Sequence, residues 1–385
     1  MTLKKTVGGL LILSVFSFLI FPKTFGQTNQ ESSASDTVKE ISFLFLGDIM
    51  QHDLQIQSAF NPATNTYDFS SQFKYLKPLF DSTDVIVGNL EVTLGGPPFK
   101  GYPRFSSPDP LADAIKNAGI RYLVTANNHM YDKGKAGFER TMHLLDSLGI
   151  KRTGTFIDQS DKEKNHPMIV FNNNFKIAIF NYTYGLNGNI SLKPNLINGL
   201  QKDSIIQDLK LAKENDYDAI IVFFHWGIEY ERQPNQEQIK LANICFESGA
   251  DIVIGSHPHV VQKMEHKPFI TSSNQQKDIL IAYSLGNFVS NYGARRYSDG
   301  GVMIRFKLRK DDYNAISIIN PCYIPIWVYR EPKEKELFNY YVLPVSDFEN
   351  KKDMDESDYN QMKVFIEDTR NLLNTGNINV PELKK

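Results

Sequence analysis

The chain has 385 residues, 41% of them apolar and 22% charged, enough for one large or two modest domains with a substantial core. A formal net charge of −2 excludes the basic field that nucleic acid or an anionic membrane would require, so no nucleic-acid partner is expected. Only two cysteines occur; Cys245 falls on the apolar face of an expected helix as a small buried hydrophobe, and nothing argues for a bond to Cys322.

Lys4 and Lys5 precede an apolar run at 7–21, with Lys23 and small residues after it. This is the pattern of a secretory signal peptide, residues 1–26, cut after Gly26; no cysteine follows to take a lipid. The other reading is an uncleaved anchor, for which the run is short. The rest is therefore expected to be secreted or periplasmic, membrane-anchored if uncleaved, with residues 27–40 as a polar linker.

From residue 41 the pattern is strand, loop, helix, repeated. A continuous apolar strand at 41–46 runs into Gly47-Asp48-Ile49-Met50, and one at 84–87 into Gly88-Asn89-Leu90-Glu91. A helix at 109–118 is followed by a strand at 122–125 that ends in Ala126-Asn127-Asn128-His129. An amphipathic helix at 134–148 stops at Gly149. A hairpin is expected over 168–182 around three asparagines, then a helix at 204–215. The strand at 219–224 ends in His225-Trp226-Gly227. A helix at 235–248 leads to the strand 251–254, which Gly255 breaks before His257 and His259, and a strand at 279–283 ends in Ser284-Leu285-Gly286-Asn287-Phe288. Beyond Gly301 the texture changes to strands at 302–308, 315–319 and 340–343 and a charged helix at 357–373.

At least five strands thus end in metal-capable or carboxamide residues: Asp48, Glu91, Asn128 with His129, His225, and His257 with His259. Strands alternating with helices bring such ends together at one edge of a sheet, where open α/β folds hold ligands. Two carboxylates, an asparagine and several histidines without thiolates form a mixed oxygen and nitrogen set. It suits divalent Mn, Zn or Fe, two ions being expected, with a carboxylate able to bridge them. His129 is placed to protonate a leaving group or brace developing charge. The helix start at Gly134 offers N–H groups to an anion. Taken singly, Asp48 also reads as a cap and Asn128 and Asn287 as turn residues. Arg104, Arg295 and Arg296 are able to clamp carboxylates or phosphates, although solvation explains most surface arginines.

Six segments, Gly47 to Met50, Asn89 to Glu91, Ala126 to His129 with Asp132 and Gly134, His225 to Tyr230, Gly249 to His259, and Tyr283 to Phe288, resemble the CapA family in order and spacing. That family is associated with poly-γ-glutamate capsule synthesis and export, and its domain is similar to calcineurin-like metallophosphoesterases. The resemblance implies Asp48, Glu91, Asn128, His225, His257 and His259 as metal ligands and His129 as the acid or charge stabiliser. Asn89, Arg104, Trp226, Glu229 and Asn287 are candidate substrate contacts, Trp226 reading either as a packing residue or as part of a substrate wall. Two departures stand out. Met50 occupies the place of the histidine in the Asp-x-His first motif, with His52 two residues further on, and Asn89 and Glu91 replace the aspartate that follows glycine in the second.

The expected fold class is α/β, a metallophosphoesterase-like sandwich of mixed β-sheets flanked by helices over residues 41–300. Residues 301–385 form a strand-rich region that completes or flanks it. The expected activity is metal-dependent hydrolysis or transfer on an anionic polymer or phosphoester in capsule assembly, with a membrane-bound capsule synthesis complex as partner. The alternatives are a non-catalytic exopolymer-binding or export subunit and a general periplasmic phosphoesterase.

Overall fold

The computed structural model describes residues 39–188, 191–292, 295–350 and 354–384. The signal-peptide reading lies outside them. Of the linker reading only Lys39 and Glu40 are described, and both already belong to the first strand.

The principal strands, in chain order, are β1 (Lys39–Ile49), β2 (Val85–Leu90), β3 (Tyr122–Val124), β4 (Lys151–Thr153), β5 (Met168–Asn172), β6 (Phe175–Thr183), β7 (Ala219–His225), β8 (Ile252–Ser256), β9 (Met264–Ile270), β10 (Gln276–Ala282), β11 (Asn287–Val289), β12 (Gly300–Lys310), β13 (Ile316–Pro332) and β14 (Phe338–Pro344). They form two sheets. The first has the order β14-β13-β12-β1-β2-β3-β4, with β11 added beside β1; the second has the order β9-β10-β8-β7-β6-β5. Strands β1 to β4 pair in parallel, as do β6, β7, β8 and β10. The C-terminal strands continue the first sheet antiparallel to β1. The α/β class with mixed sheets is therefore what the chain adopts.

The period-two alternation of each strand decides the layering. Along β1, Phe43 and Phe45 enter a core between the sheets with Val87, Phe306, Ile179, Ile221, Phe223 and Ile254. Leu44 and Leu46 point the other way, toward Leu111 and Ile115 of the helix Pro110–Asn117. On the far side, Phe180, Val222 and Val253 meet Leu209, Ala242 and Cys245 from helices Lys202–Lys213 and Gln236–Ser248. The order is helix, sheet, sheet, helix. The rings of Phe45 and Phe223 stack across the central layer with centroids 6.3 Å apart; each such buried ring contributes about 1.5–3 kcal/mol. Cys245 and Cys322 are both buried and free.

Helix limits follow local chemistry. Asn235 and Gln238 cap the Gln236–Ser248 helix reciprocally, and Gly249 ends it at φ +121°. No helix among the described residues is long and apolar enough to cross a membrane.

Candidate metal centre

Because β1, β2, β3, β7 and β8 run the same way within their sheets, their carboxyl ends gather at one edge, and the polar residues that follow each apolar run are delivered together. Two glycines permit the close approach. A Cβ at Gly47 would sit 2.0 Å from the Gly286 carbonyl oxygen, and one at Gly255 2.1 Å from that of Tyr283. The pairing of β1 shifts register near Asp48. Beyond β8, His257 and His259 take φ values of +97° and +56°, conformations that non-glycine residues hold only where the surroundings impose them.

Asp48, Glu91, Asn128, His225, His257 and His259 are all brought together and all buried. Donor atoms of Asp48, Glu91 and His225 lie within 4.8 Å of one another, as do those of Glu91, His257 and His259. Glu91 belongs to both groups. His225 Nε2 is 2.7 Å from Asn128 Oδ1 and 3.4 Å from Glu91 Oε1. His259 Nδ1 is 3.1 Å from Asp48 Oδ2, and its Nε2 is 3.8 Å from Glu91 Oε1. Asn89 lies inside the cluster and donates from Nδ2 to Asp48 Oδ1 at 2.7 Å and Ser256 Oγ at 3.1 Å. Asn127 in turn donates to the Leu90 carbonyl at 2.8 Å. From the second sheet Asn181 Oδ1 accepts the N–H groups of Thr125 and Ala126 at 3.0 and 2.6 Å, which fixes the turn carrying Asn128 and His129.

The electrostatics of this cluster fit divalent cations. Burial and then the neighbouring Asp48 charge push the Glu91 carboxyl far above its ordinary range. Burial also acts upward on Asp48, but the His259 imidazole and Asn89 amide outweigh it and hold the group low. Burial, reinforced by the other histidines, drives His225 well down and His257 to about 3, so both rings are neutral donors. Both Glu91 oxygens and His257 Nδ1 are buried with no hydrogen-bond partner. Orphaned buried acceptors facing one another are what a cation between them would satisfy.

A cleft of about 720 Å³ opens beside the cluster, lined by Arg104, Asn128, His129, Asp132, Asn187 and Glu229 among others. His129 Nδ1 lies 2.8 Å from Asp132 Oδ2, which also accepts the Phe105 N–H at 2.8 Å. Arg104 and Glu229 are exposed on the rim. Two of the expected substrate contacts, Asn89 and Asn287, are instead fully buried within the cluster. Trp226 is not at the wall: it is buried, stacks on Phe224 at 4.4 Å, and donates its indole N–H to the Tyr283 carbonyl at 2.9 Å. The residue after a strand's last histidine alternates to the outer face, and that places it among the helices.

Sequence reasoning gave no role to Asp132, Ser256, Asn127, Tyr184 or Tyr292. Asp132 carries a signal, since it follows His129 by three residues. Tyr184 carries one too, since it follows the end of β6, which runs parallel to β7 and ends level with His225, and its ring lies 4.6 Å from His257. Tyr292 carries none, its ring lying 5.1 Å from His259. Met50 packs into the outer core, and His52, two residues on, stands edge-on to Phe105 outside both donor groups.

The family model for bacterial capsule synthesis protein PGA_cap matches residues 42–292. The chain is 28% identical over 301 residues to the capsule biosynthesis protein CapA of Bacillus anthracis, covering 73% of this chain and 67% of that one. It is 28% identical over 314 residues to the PGA biosynthesis protein CapA of Bacillus subtilis strain 168, covering 78% and 76%. Among solved structures, the NAD nucleotidase of Haemophilus influenzae superposes with a TM-score of 0.48 at 13% identity, over 87% of this chain and 67% of that one. The calcineurin-like phosphoesterase YfkN from Bacillus subtilis gives 0.45 at 13% identity, over 86% and 98%. Likeness at that level is too distant to carry an activity across.

Proposed function

This chain belongs to the bacterial capsule synthesis protein PGA_cap family, and on that premise we propose that it is an extracytoplasmic, metal-dependent hydrolase or transferase acting on an anionic substrate in capsule or exopolymer assembly. The observation that carries the reading is the pair of orphaned Glu91 oxygens, fully buried and shared between two groups of donors. Asp48, Glu91, Asn128, His225, His257 and His259 would hold two divalent ions. Such ions, when bound, polarise a substrate oxygen and neutralise charge developing on it.

The chain's own groups supply the rest. Asp132, anchored by the Phe105 N–H, keeps the proton of His129 on Nδ1 and leaves Nε2 as the atom that gives or takes a proton in the cleft. Phe105 stands edge-on against His129 with ring centroids 4.7 Å apart, which holds the imidazole plane and keeps water from that side. Arg104 offers a guanidinium on the rim for a carboxylate or phosphate. A capsule polymer of γ-linked glutamate and a phosphoester both meet these requirements, and the names of the relatives favour the polymer.

The test is metal content of the purified chain, prepared without chelator, for wild type and a His257→Ala/His259→Ala variant, followed by turnover of phosphoesters and γ-glutamyl polymers. One or two equivalents in wild type, lost in the variant, are expected, with turnover that depends on them. Protein that stays metal-free after addition of Mn²⁺ or Zn²⁺ would sink the hydrolase and leave a polymer-binding accessory subunit.

A further inference from the structure

We infer that Asn287 is a metal ligand, and that its side-chain oxygen makes one half of the centre oxygen-rich, favouring Mn²⁺ or Mg²⁺ relative to Zn²⁺. The inference rests on the reading of the buried cluster as a metal centre. The first motif contributes Asp48 but no imidazole: Met50 is fully buried in the outer core with Leu46, Phe69 and Phe73. A donor from elsewhere is needed on that side of Asp48, and the topology supplies one. Strand β11 runs parallel to β1 in a register that sets Asn287 directly opposite Asp48. The Asp48 N–H donates to the Gly286 carbonyl at 3.1 Å, and the absent side chain at Gly47 lets the two backbones come that close.

The orientation of the Asn287 amide is fixed by its neighbours. Its nitrogen donates to two main-chain carbonyls, Ser298 at 2.8 Å and His259 at 3.4 Å, which can only accept. The oxygen therefore faces inward, 3.0 Å from His259 Nδ1. That same nitrogen lies 3.1 Å from Asp48 Oδ2. Two acceptor oxygens thus compete for a single ring atom, and among the described residues no other donor reaches Asn287 Oδ1. A cation among the three lone pairs satisfies all of them without a proton. The spacing agrees, since donors about 2.1 Å from one ion stand roughly 3.0–3.4 Å apart.

The consequence is a centre with two unlike halves. Asp48 and Asn287 offer two oxygens beside the single imidazole of His259. Glu91 lies within reach of His225 as well as of His257 and His259. On the other side His225 stands beside Asn128, with the His257 ring 4.7 Å away. Carboxylate and carbonyl donors suit Mn²⁺ and Mg²⁺, and imidazoles raise the affinity for Zn²⁺.

The experiment measures Zn²⁺ and Mn²⁺ affinities of chelator-stripped full chain by calorimetric titration, for wild type, Asn287→Ala, Asn287→Asp and Asn287→His. Asn287→Ala is expected to weaken one of two equivalents by about tenfold or more for either metal. Asn287→His is expected to raise the Zn²⁺ to Mn²⁺ affinity ratio at that equivalent by about tenfold, and the near-isosteric Asn287→Asp to lower it. Unchanged binding in the alanine variant overturns the inference. So does a histidine variant with a wild-type ratio, because Asn287 would then only orient His259. Should the alanine variant fail to fold, the ratios of the other two decide. A wild type that binds no metal is a different failure, that of the metal-centre reading itself.

Discussion

Replacing Glu91 by Gln should move stability in opposite directions with and without metal. Both Glu91 oxygens are buried without a partner and the side chain lies near the Asp48 carboxylate. In the metal-free protein each such group carries a desolvation cost of about 1–3 kcal/mol. Without metal the raised carboxyl must keep a proton that the unfolded chain releases at neutral pH, a cost the amide lacks, so the metal-free variant should be more stable by a comparable amount. With metal the sign reverses. An ion at a hundred times its dissociation constant stabilises the fold by about 2.7 kcal/mol. For a chain of this length the unfolding entropy is roughly 0.7 kcal/mol per kelvin, so each ion should raise Tm by about 4 °C in wild type. Glutamine, a weak ligand, should forfeit most of that rise. Scanning calorimetry of chelated and Mn²⁺-loaded protein reads both effects. A metal-free Glu91→Gln protein that melts below wild type, or a variant that keeps the full metal-dependent rise, would refute the argument that this side chain waits for a cation.

Three further outcomes follow from other parts of the molecule. Burial, then the charges of His259 and His129, hold His52 at about 4 against an ordinary 6.5. The unfolded chain therefore gains a proton first as pH falls from 6.5 to 4, and stability should drop by about 3 kcal/mol across that window and not above it. His225 and His257 are held low as well and add to the fall, so urea unfolding of His52→Gln should show a slope shallower by the His52 share alone, and an unchanged slope would count against it. His129→Ala should lower turnover of a model phosphoester by about a hundredfold or more with metal content intact, and Asp132→Asn should do so in part by freeing the Nδ1 proton; lost metal in either variant would contradict the assignment. Asn181→Ala orphans the Ala126 N–H and removes a donor from the Phe223 carbonyl. It should destabilise by about 1–3 kcal/mol for each group and loosen the turn carrying His129, as denaturant titration and hydrogen exchange at Ala126 can check.

The strands that carry the site were readable because parallel strands covered on both faces are continuous apolar runs, as at Phe43 to Leu46 and Ile220 to Phe224. Their polar endings were readable for the same reason: Asp48, Glu91 and His225 interrupt those runs abruptly. The short helix Asp53–Ala59 was not foreseen; it begins where the His52 N–H donates to Gln55 Oε1 at 2.8 Å, and histidine is an unusual residue to start a helix. β9 escaped notice because Glu265, His266 and Lys267 break its apolar pattern; the buried Glu265 is tolerated because Lys263 and Lys267 pair with it, and His266 pairs with Asp278. Within the site, sequence placed Asn89 and Asn287 by proximity to motifs but gave no hint of burial. Asparagine in a loop and asparagine in a polar core look alike until the partner strands are known. Trp226, readable as packing or as substrate wall, packs in the outer core, since alternation, not adjacency to His225, decides its face.

The pairing of Asp48 with Asn287 joins residues 239 positions apart. Half of the donor cluster therefore exists only after nearly the whole matched region has emerged and closed on its first strand. Contacts of such long sequence separation form late and slowly. A growing or partly unfolded chain would carry scattered histidines and carboxylates but no pocket able to choose among ions. An ion filling the proposed centre would then be drawn from wherever the chain completes its fold, and the local abundance of metals there would act alongside the donors in deciding which one is kept.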